Sequence, residues 1–223
     1  MYKIVLCFLL VACVTCCYGQ QYTVVTVKAG DDIDLHSSYR FPAFTTGVVK
    51  FKTGGVLTTR LNFNLLTCKM DFINPMGDTL AIAKPEEIAY IQVDSSTFYY
   101  DGAYREVFAQ GDSMQLAVVR TMSVEPVKIG AMGIRNKNSS VDDYTWLLTH
   151  SGPNKLAADE DMDIRRKDSY LLLTANGERT ANKSTFVKLF KPAKSDIESF
   201  IKKQKINFFK QADLEKLFVY CTQ

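Results

Sequence analysis

Residues 56–66 read VLTTRLNFNLL, and this stretch decides the fold class. Apolar or β-branched residues occupy every second position, and polar residues occupy three of the positions between them. The first set is Leu57, Thr59, Leu61, Phe63 and Leu65, and the second is Arg60, Asn62 and Asn64. An alternation with period two predicts a β-strand that buries one face.

Shorter segments of the same kind lie on both sides of this strand. Turn compositions such as Thr53–Gly55 and Asn74–Asp78 separate them roughly every 8–12 residues, which is typical of an antiparallel meander. The predicted flanking strands are Tyr22–Lys28, Gly47–Lys52, Cys68–Ile73, Thr79–Ala83, Ile88–Val93, Thr97–Tyr100, Tyr104–Ala109 and Met114–Arg120. Further on, the sequence predicts a short strand at Tyr144–Thr149 and a strand pair at Asp163–Arg166 and Ser169–Thr174.

The C-terminal region has helical periodicity instead. Ser195 and Glu198 fit a capping box, with Ser at the N-cap and Glu at N3, so a helix is predicted at about 195–205. A second helix, at about 211–221, is predicted from apolar residues at i, i+3, i+4 and i+7, namely Leu214, Leu217, Phe218 and Cys221. The fold class is therefore α+β: an antiparallel meander sheet over about 22–175, curled on itself or covered by two short C-terminal helices.

The N-terminus has the features of a secretory signal. Residues 1–20 read MYKIVLCFLLVACVTCCYGQ, with Lys3 as a positive n-region and Ile4–Val14 as an apolar run too short to span a bilayer. Small residues precede Gln20 at the −3 and −1 positions, Cys17 and Gly19. Cleavage after Gly19 would leave residues 20–223 as a single exported domain, in the periplasm or outside the cell.

A second interpretation of the leader stays open. Residues 10–13, Leu-Val-Ala-Cys, resemble a lipobox, in which Cys13 would be acylated and would tether the protein to a membrane. No later segment reaches the ~18 uncharged apolar residues that a transmembrane helix needs. The mature chain is therefore expected to have no membrane-spanning helix.

The cysteines do not form a disulfide framework. Four of the six lie in the leader, and only Cys68 and Cys221 remain after cleavage. In an oxidising compartment these two can pair, or each can be a separate buried thiol. The sequence alone leaves both alternatives open.

Composition and charge exclude one class of partner. The chain is 47% hydrophobic and 23% charged, as expected for a globular domain, and its net charge is only +3. Binding to nucleic acid requires a concentrated basic face, so no nucleic-acid partner is predicted. Lysines do concentrate between Lys183 and Lys216, which indicates a solvated helical face or attraction to an anionic membrane surface.

No catalytic, cofactor-binding or metal-binding residue is assigned from the sequence. The block Gly111-Asp112-Ser113-Met114 resembles the nucleophile block of one esterase and lipase family, which also needs a DxxH pair near the C-terminus. Here the only downstream histidine is His150, and the residue three positions before it is Leu147. Gly111 and Asp112 are instead expected in a hairpin turn.

Metal sites are not predicted either. His36 and His150 are the only histidines. Asp159, Asp161 and Asp163 give a D-x-D-x-D start like that of a calcium loop, but positions 6 and 12 of that loop are not Gly and Glu. An acidic turn is expected there, and no cofactor is assigned.

Aromatic residues cluster in the predicted strands around residue 100. They either form a ladder across the core or an exposed platform for sugar or peptide. The residues are Phe98, Tyr99, Tyr100, Tyr104 and Phe108.

Several short motifs resemble those of an uncharacterised family of exported Bacteroidota proteins. The motifs are Met70–Pro75, Gly77–Ala83, Pro85–Ile88, Phe98–Tyr100, Phe200–Lys203 and Asp213–Leu217, together with the leader ending Tyr-Gly-Gln. This resemblance implies a periplasmic or surface location and assigns no activity. The expected role is non-catalytic binding of another envelope protein, a glycan or a lipid. The alternative is a periplasmic hydrolase whose carboxylates come together from loops, within ~5–10 Å of each other.

Overall fold

The structure is a computed structural model that describes residues 22–33, 35–127, 156–157, 161–190 and 194–222. The leader with Cys13, the predicted strand at Tyr144–Thr149, His150 and Asp159 lie outside the described residues.

One large antiparallel sheet dominates the described residues. Its strand order is β1-β12-β10-β9-β8-β7-β3-β4-β5-β6, and β13 pairs with β12 beside this path to make eleven strands, while β2 and β11 form a separate two-stranded sheet. The bounds are β1 Tyr22–Val27, β2 Asp32–Ile33, β3 Thr45–Phe51, β4 Val56–Asn64, β5 Lys69–Ile73, β6 Thr79–Ala81, β7 Ile88–Val93, β8 Ser96–Tyr100, β9 Tyr104–Gln110, β10 Met114–Pro126, β11 Leu156–Ala157, β12 Met162–Thr174 and β13 Gly177–Thr180.

The predicted α+β class and meander are confirmed, with one correction. The predicted strand pair at Asp163–Arg166 and Ser169–Thr174 is wrong, because Met162–Thr174 is a single strand. This strand, β12, pairs with β10 at every one of its positions, including Arg120 opposite Asp168. The continuous ladder keeps the polar residues in the middle of β12 extended, so no turn forms there.

The alternation in β4 has the predicted phase, although its two ends differ. Leu61 and Phe63 are buried with 0% and 3% of their surface exposed, whereas Leu57 is 45% exposed. The opposite face is also covered, since Asn62 is 1% exposed and its side chain bonds to both the backbone N–H and the carbonyl of Phe41. The segment around Phe41 therefore packs over the polar side of the strand.

The sheet curls and buries two separate hydrophobic clusters, which we call core 1 and core 2. Core 1 combines residues of strands that are far apart in the sheet order, such as Phe63 of β4 and Ile164 of β12. The curl also brings the Leu65 carbonyl oxygen within 2.8 Å of the Met122 backbone nitrogen, which donates to it. Core 2 is centred on Leu116, Leu172, Phe186, Ile197, Leu214 and Leu217.

Within the described residues, three helices cover core 2: α1 Lys183–Leu189, α2 Lys194–Gln204 and α3 Gln211–Thr222. The two predicted helices, α2 and α3, are confirmed, and α2 begins one residue before the predicted N-cap, Ser195. The prediction missed α1, which Asn182 caps by accepting a hydrogen bond from the Thr185 backbone nitrogen at 2.9 Å. None of the helices in the described ranges is long and apolar enough to cross a membrane.

Candidate functional site: an arginine-lined pocket

A buried carboxylate, Glu106 of β9, lies at the junction of the two cores. Only 3% of its surface is exposed. Its Oε1 accepts from Arg40 Nη2 at 2.8 Å and from Ser96 Oγ at 3.0 Å. Its Oε2 accepts from Arg40 Nε at 2.9 Å and from Arg120 Nε at 2.8 Å. Four donors therefore satisfy this carboxylate, as a buried charge requires.

Arg120 extends this network towards β12 and the helices. Its Nη1 donates to Asp168 Oδ2, and its Nη2 donates to the side-chain oxygen of Gln211, at the start of α3, at 2.8 Å. The Tyr170 hydroxyl also donates to Asp168 Oδ2, at 3.3 Å. The planar guanidinium thus joins two carboxylates and an amide at fixed angles, which a lysine could not do.

The alternation of side chains along the two long strands, β10 and β12, places Arg120 and Asp168 between the two cores. On β10, residues at even positions face inward: Leu116 and Val118 belong to core 2 and Met122 to core 1, with Arg120 between them. On β12 the residue directly opposite Arg120 is Asp168. Opposed residues of an antiparallel pair point to the same face, so the two charges meet inside the fold. We call the group Arg40, Ser96, Glu106, Arg120 and Asp168 the polar layer.

The electrostatics keep Glu106 ionised. Burial by itself raises the pKa of the Glu106 carboxyl, but hydrogen bonds and charge from Arg40 and Arg120 outweigh burial and leave this pKa below its usual value. Burial lowers the pKa of Arg120, but the charge and hydrogen bond of Glu106 together with the charge of Asp168 outweigh burial, so this pKa lies above its usual value. Both groups therefore carry full charge at neutral pH.

A pocket of about 280 Å³ opens next to the polar layer. Its walls come from β1, β10, β12, the segment before β3, the turn between β4 and β5 and the loop between α2 and α3. The lining residues are Thr23, Tyr39, Arg40, Leu65, Arg120, Thr121, Arg166, Asp168 and Phe209. We call this cavity the Arg pocket.

Arg166 differs from the other two arginines of the pocket. Its Nη2 donates to the backbone carbonyl of Ser37, and among the described residues no carboxylate pairs with it. Arg40 and Arg120, by contrast, are both held by Glu106. Three guanidinium groups thus meet two carboxylates, Glu106 and Asp168, and one positive charge is left in excess.

Tyr39, on the pocket wall, connects it to a second buried carboxylate. The Tyr39 hydroxyl donates to Asp71 Oδ2 at 3.0 Å, and Asn64 Nδ2 lies 3.3 Å from the same oxygen. Burial, and then the charge of Asp71, raise the pKa of Tyr39 to about 12. Burial raises the pKa of Asp71 too, despite both hydrogen bonds. Asp71 differs in this respect from Glu106, which has arginine partners.

A second cavity, of about 290 Å³, lies at the open end of core 1. Mainly apolar side chains line it, including the exposed Leu57 of β4, and Lys84 and Glu87 form a 2.9 Å ion pair at its rim. Leu57, at the outer end of the β4 alternation, borders this groove and is exposed. Its apolar lining residues are Val49, Phe51, Leu57, Leu61, Phe72, Ile82, Ala83 and Ile88.

The candidate catalytic and metal-binding residues of the sequence that the structure describes lie in a turn, a short helix, a strand and the segment before that strand. Residues 111–113 connect β9 to β10, with the Gly111 nitrogen donating to the Met114 carbonyl, so the predicted hairpin turn is confirmed. His36 lies in a short 3-10 helix, Leu35–Ser38. Asp163 belongs to β12 and accepts from Thr26 Oγ1 at 2.7 Å, while Asp161 accepts from Lys28 Nζ at 2.6 Å. Within the described ranges, no three His, Cys, Asp or Glu side chains come together as a metal site.

The aromatic cluster is mostly a core ladder, as one of the two alternatives predicted. Phe98 and Tyr104 are 1% and 5% exposed, and both rings contact Phe63 with centroid distances of 5.7 and 5.5 Å. Tyr100 packs on Tyr104 at 5.0 Å. Phe108 belongs to core 2, where its ring meets that of Tyr170.

Cys68 and Cys221 are free thiols in the structure. Cys68 is in the turn between β4 and β5, whereas Cys221 packs against core 2 on α3. Burial raises the pKa of both, that of Cys221 to about 11, so neither is an activated thiolate.

Sequence reasoning missed the Arg pocket entirely. A usable signal was present in β10, where the inward alternation of Leu116 and Val118 is interrupted by Arg120 before it resumes at Met122. A charged residue in the apolar phase of a strand indicates either a strand end or a buried ion pair. The partners Arg40, Glu106 and Asp168 lie far from Arg120 in the sequence, so only the fold reveals them.

No known protein-family model, curated protein or solved structure matches this chain.

Proposed function

We propose that this chain is an exported, non-catalytic binding protein that holds an anionic group of its ligand in the Arg pocket. The observation that carries the proposal is Arg166, a guanidinium at the pocket wall without a carboxylate partner among the described residues. An arginine fork binds carboxylate or phosphate oxygens in a bidentate manner, and this makes an anion its natural ligand.

The polar layer supports this role by fixing its arginines in advance. Arg40 and Arg120 are held on Glu106 before any ligand arrives, so they lose little side-chain freedom on binding. Arg40 uses Nε and Nη2 for Glu106, and its side chain remains 30% exposed. Its Nη1 is therefore a second donor that an anion beside Arg166 can use.

The same contacts argue against acid–base chemistry at this position. A general acid needs a pKa raised towards neutrality. Glu106 has a lowered pKa and is 3% exposed, so it serves as a counter-ion to two arginines. The hydrolase alternative, with carboxylates from loops, has no specific observation in its favour among the described residues.

The test is anion binding by the mature chain, residues 20–223, measured by calorimetry at low salt with small carboxylates and inorganic phosphate. We expect Arg166→Gln to lose at least ten-fold in affinity. Arg166→Lys should lose less, because the charge remains and only the fork is lost. The matched control is Arg179→Gln, an exposed arginine of β13 outside the pocket, which should bind like the wild type. Equal binding by all four proteins, or binding by none, would contradict the proposal.

Export is tested separately on protein recovered from its native host. An N-terminal mass beginning at Gln20 is the expected result, and an acylated Cys13 would identify the tethered form. Full-length chain in the cytosol, with its leader intact, would overturn the envelope role.

A further inference from the structure

The Arg pocket contains an acceptor as well as donors. The Asp168 side chain is 36% exposed, and its Oδ2 is occupied by Arg120 and Tyr170. Its Oδ1 accepts from no group in the described part of the chain. An open carboxylate oxygen on a pocket wall favours a ligand with hydroxyl donors and disfavours one that carries only negative charge.

The donor and the acceptor are arranged along one strand. Arg166 and Asp168 are two residues apart on β12 and point to the same face, so their Cα atoms are about 7 Å apart. Both side chains line the same pocket, so a ligand that uses both carries an anionic group and hydroxyls on one small unit. Thr23 pairs with Arg166 across β1 and β12 and lies on the same wall.

The rest of the lining suits a ring with an apolar face. Phe209 is 37% exposed at the pocket, and Tyr39 is also on the wall. Aromatic rings provide rigid apolar contact area for the C–H face of a sugar. A volume of about 280 Å³ is at the lower limit for small-molecule sites, so it accommodates one ring rather than an extended chain.

These observations rest on the proposed function and make it more specific. We infer that the pocket recognises a sugar acid, the hydroxylated carboxylate unit of an acidic glycan. Its carboxylate binds Arg166 and the free side of Arg40. Its hydroxyls donate to Asp168, and its apolar face lies against Phe209.

The experiment compares four probes with the mature chain by calorimetry: galacturonate, galactose, acetate and inorganic phosphate. Galacturonate should bind at least ten-fold more tightly than each of the others, because only it has both the carboxylate and the hydroxyls. A trigalacturonate arm identifies the source: tighter binding than the monomer indicates a glycan chain, and equal binding indicates the free sugar acid.

Asp168→Asn should change the affinities for galacturonate and phosphate in opposite directions, which the loss of a purely structural residue would not do. The variant should bind galacturonate several-fold more weakly, because an amide oxygen is a poorer acceptor than a carboxylate. It should bind phosphate more tightly than the wild type does, because the repulsion is gone. Arg179→Gln is again the control and should change neither affinity. If Asp168→Asn weakens both ligands alike, Asp168 has only a structural role and the inference is overturned.

The remaining outcomes separate this inference from the function it rests on. If acetate binds as tightly as galacturonate, hydroxyl recognition is excluded while anion binding stands. If phosphate binds most tightly, the ligand is a phosphate group, such as a lipid headgroup, and the sugar-acid inference falls. If no probe binds, the proposed function falls with it.

Discussion

Core 1 and core 2 lie on the same face of one sheet but are closed in different ways. Core 1 is covered by the sheet itself, which curls until loop and strand segments far apart in sequence touch, as Leu65 and Met122 do. Core 2 is covered by α1, α2 and α3, all from the C-terminal region. The long strands β10 and β12 run through both. The comparison indicates that one sheet can support two cores when a polar layer of paired charges separates them.

The largest effect is expected from removing the charge between the cores. Glu106→Gln leaves Arg40 and Arg120 without their shared counter-ion, and breaking a buried pair in this way costs roughly 3–5 kcal/mol. Urea unfolding of the wild type and the variant measures this loss of unfolding free energy. The control is Glu178→Gln, which breaks the more exposed pair with Arg105 and should cost less than about 1 kcal/mol. Equal losses would mean that the polar layer does not hold the cores together.

The effect of Glu106 also has a defined pH dependence. Its folded-state pKa is lowered, so the stability it contributes is full above the unfolded value of about 4.3 and is lost as the pH falls through the folded pKa. The difference in unfolding free energy between wild type and Glu106→Gln should therefore shrink on acidification. A difference that stays constant down to pH 3 would contradict the assignment.

The next largest loss of stability is expected from substitutions that create a cavity in core 1 or core 2. Leu61→Ala in core 1 and Leu214→Ala in core 2 each remove a side chain with no exposed surface, and each should cost about 3 kcal/mol. Because β10 and β12 pass through both cores, we expect one cooperative transition for both variants by circular dichroism. Separate loss of helical signal in Leu214→Ala would show that core 2 unfolds independently.

A smaller effect is expected where the polar layer meets the helices. Gln211→Ala removes the acceptor for Arg120 Nη2 and should cost about 1 kcal/mol. Hydrogen exchange in α3 should increase, whereas exchange in β4 should not. Gln204→Ala, at the exposed end of α2, is the control, and an equal effect there would indicate that the Arg120 contact contributes nothing.

The smallest effect has the opposite sign. Asp71 is buried without a cation as its hydrogen-bond partner and its pKa is raised, so its ionised form destabilises the fold at neutral pH. Asp71→Asn keeps an acceptor for Tyr39 and should raise stability at pH 7 by no more than about 1 kcal/mol. The gain should vanish below the unfolded pKa of about 3.9, where Asp71 is protonated in both states. Thermal melts at pH 7 and pH 3 measure this, and a loss at pH 7 would refute it.

Local periodicity predicts the fold class and most of the secondary-structure elements. The alternation in β4, the turn at Gly111 and the apolar positions of α3 each depend on a few adjacent residues, so the sequence alone predicts them. The sequence analysis does not predict the short helix α1, although Asn182 and Phe186 fit a helix start. It predicts two strands in place of β12, because the polar middle of that strand resembles a turn. That middle is extended because of its partner β10, which is remote in sequence.

Long-range packing sets where the charges meet. Arg40, Glu106, Arg120 and Asp168 lie in four separate segments, and nothing local indicates that they share one site. The curl of the sheet and the register of β10 against β12 bring these four residues together. They also place Arg166 beside them, without a carboxylate partner among the described residues. Periodicity reports which face a residue occupies, whereas a binding site depends on which distant residues share that face, and that is set by long-range packing.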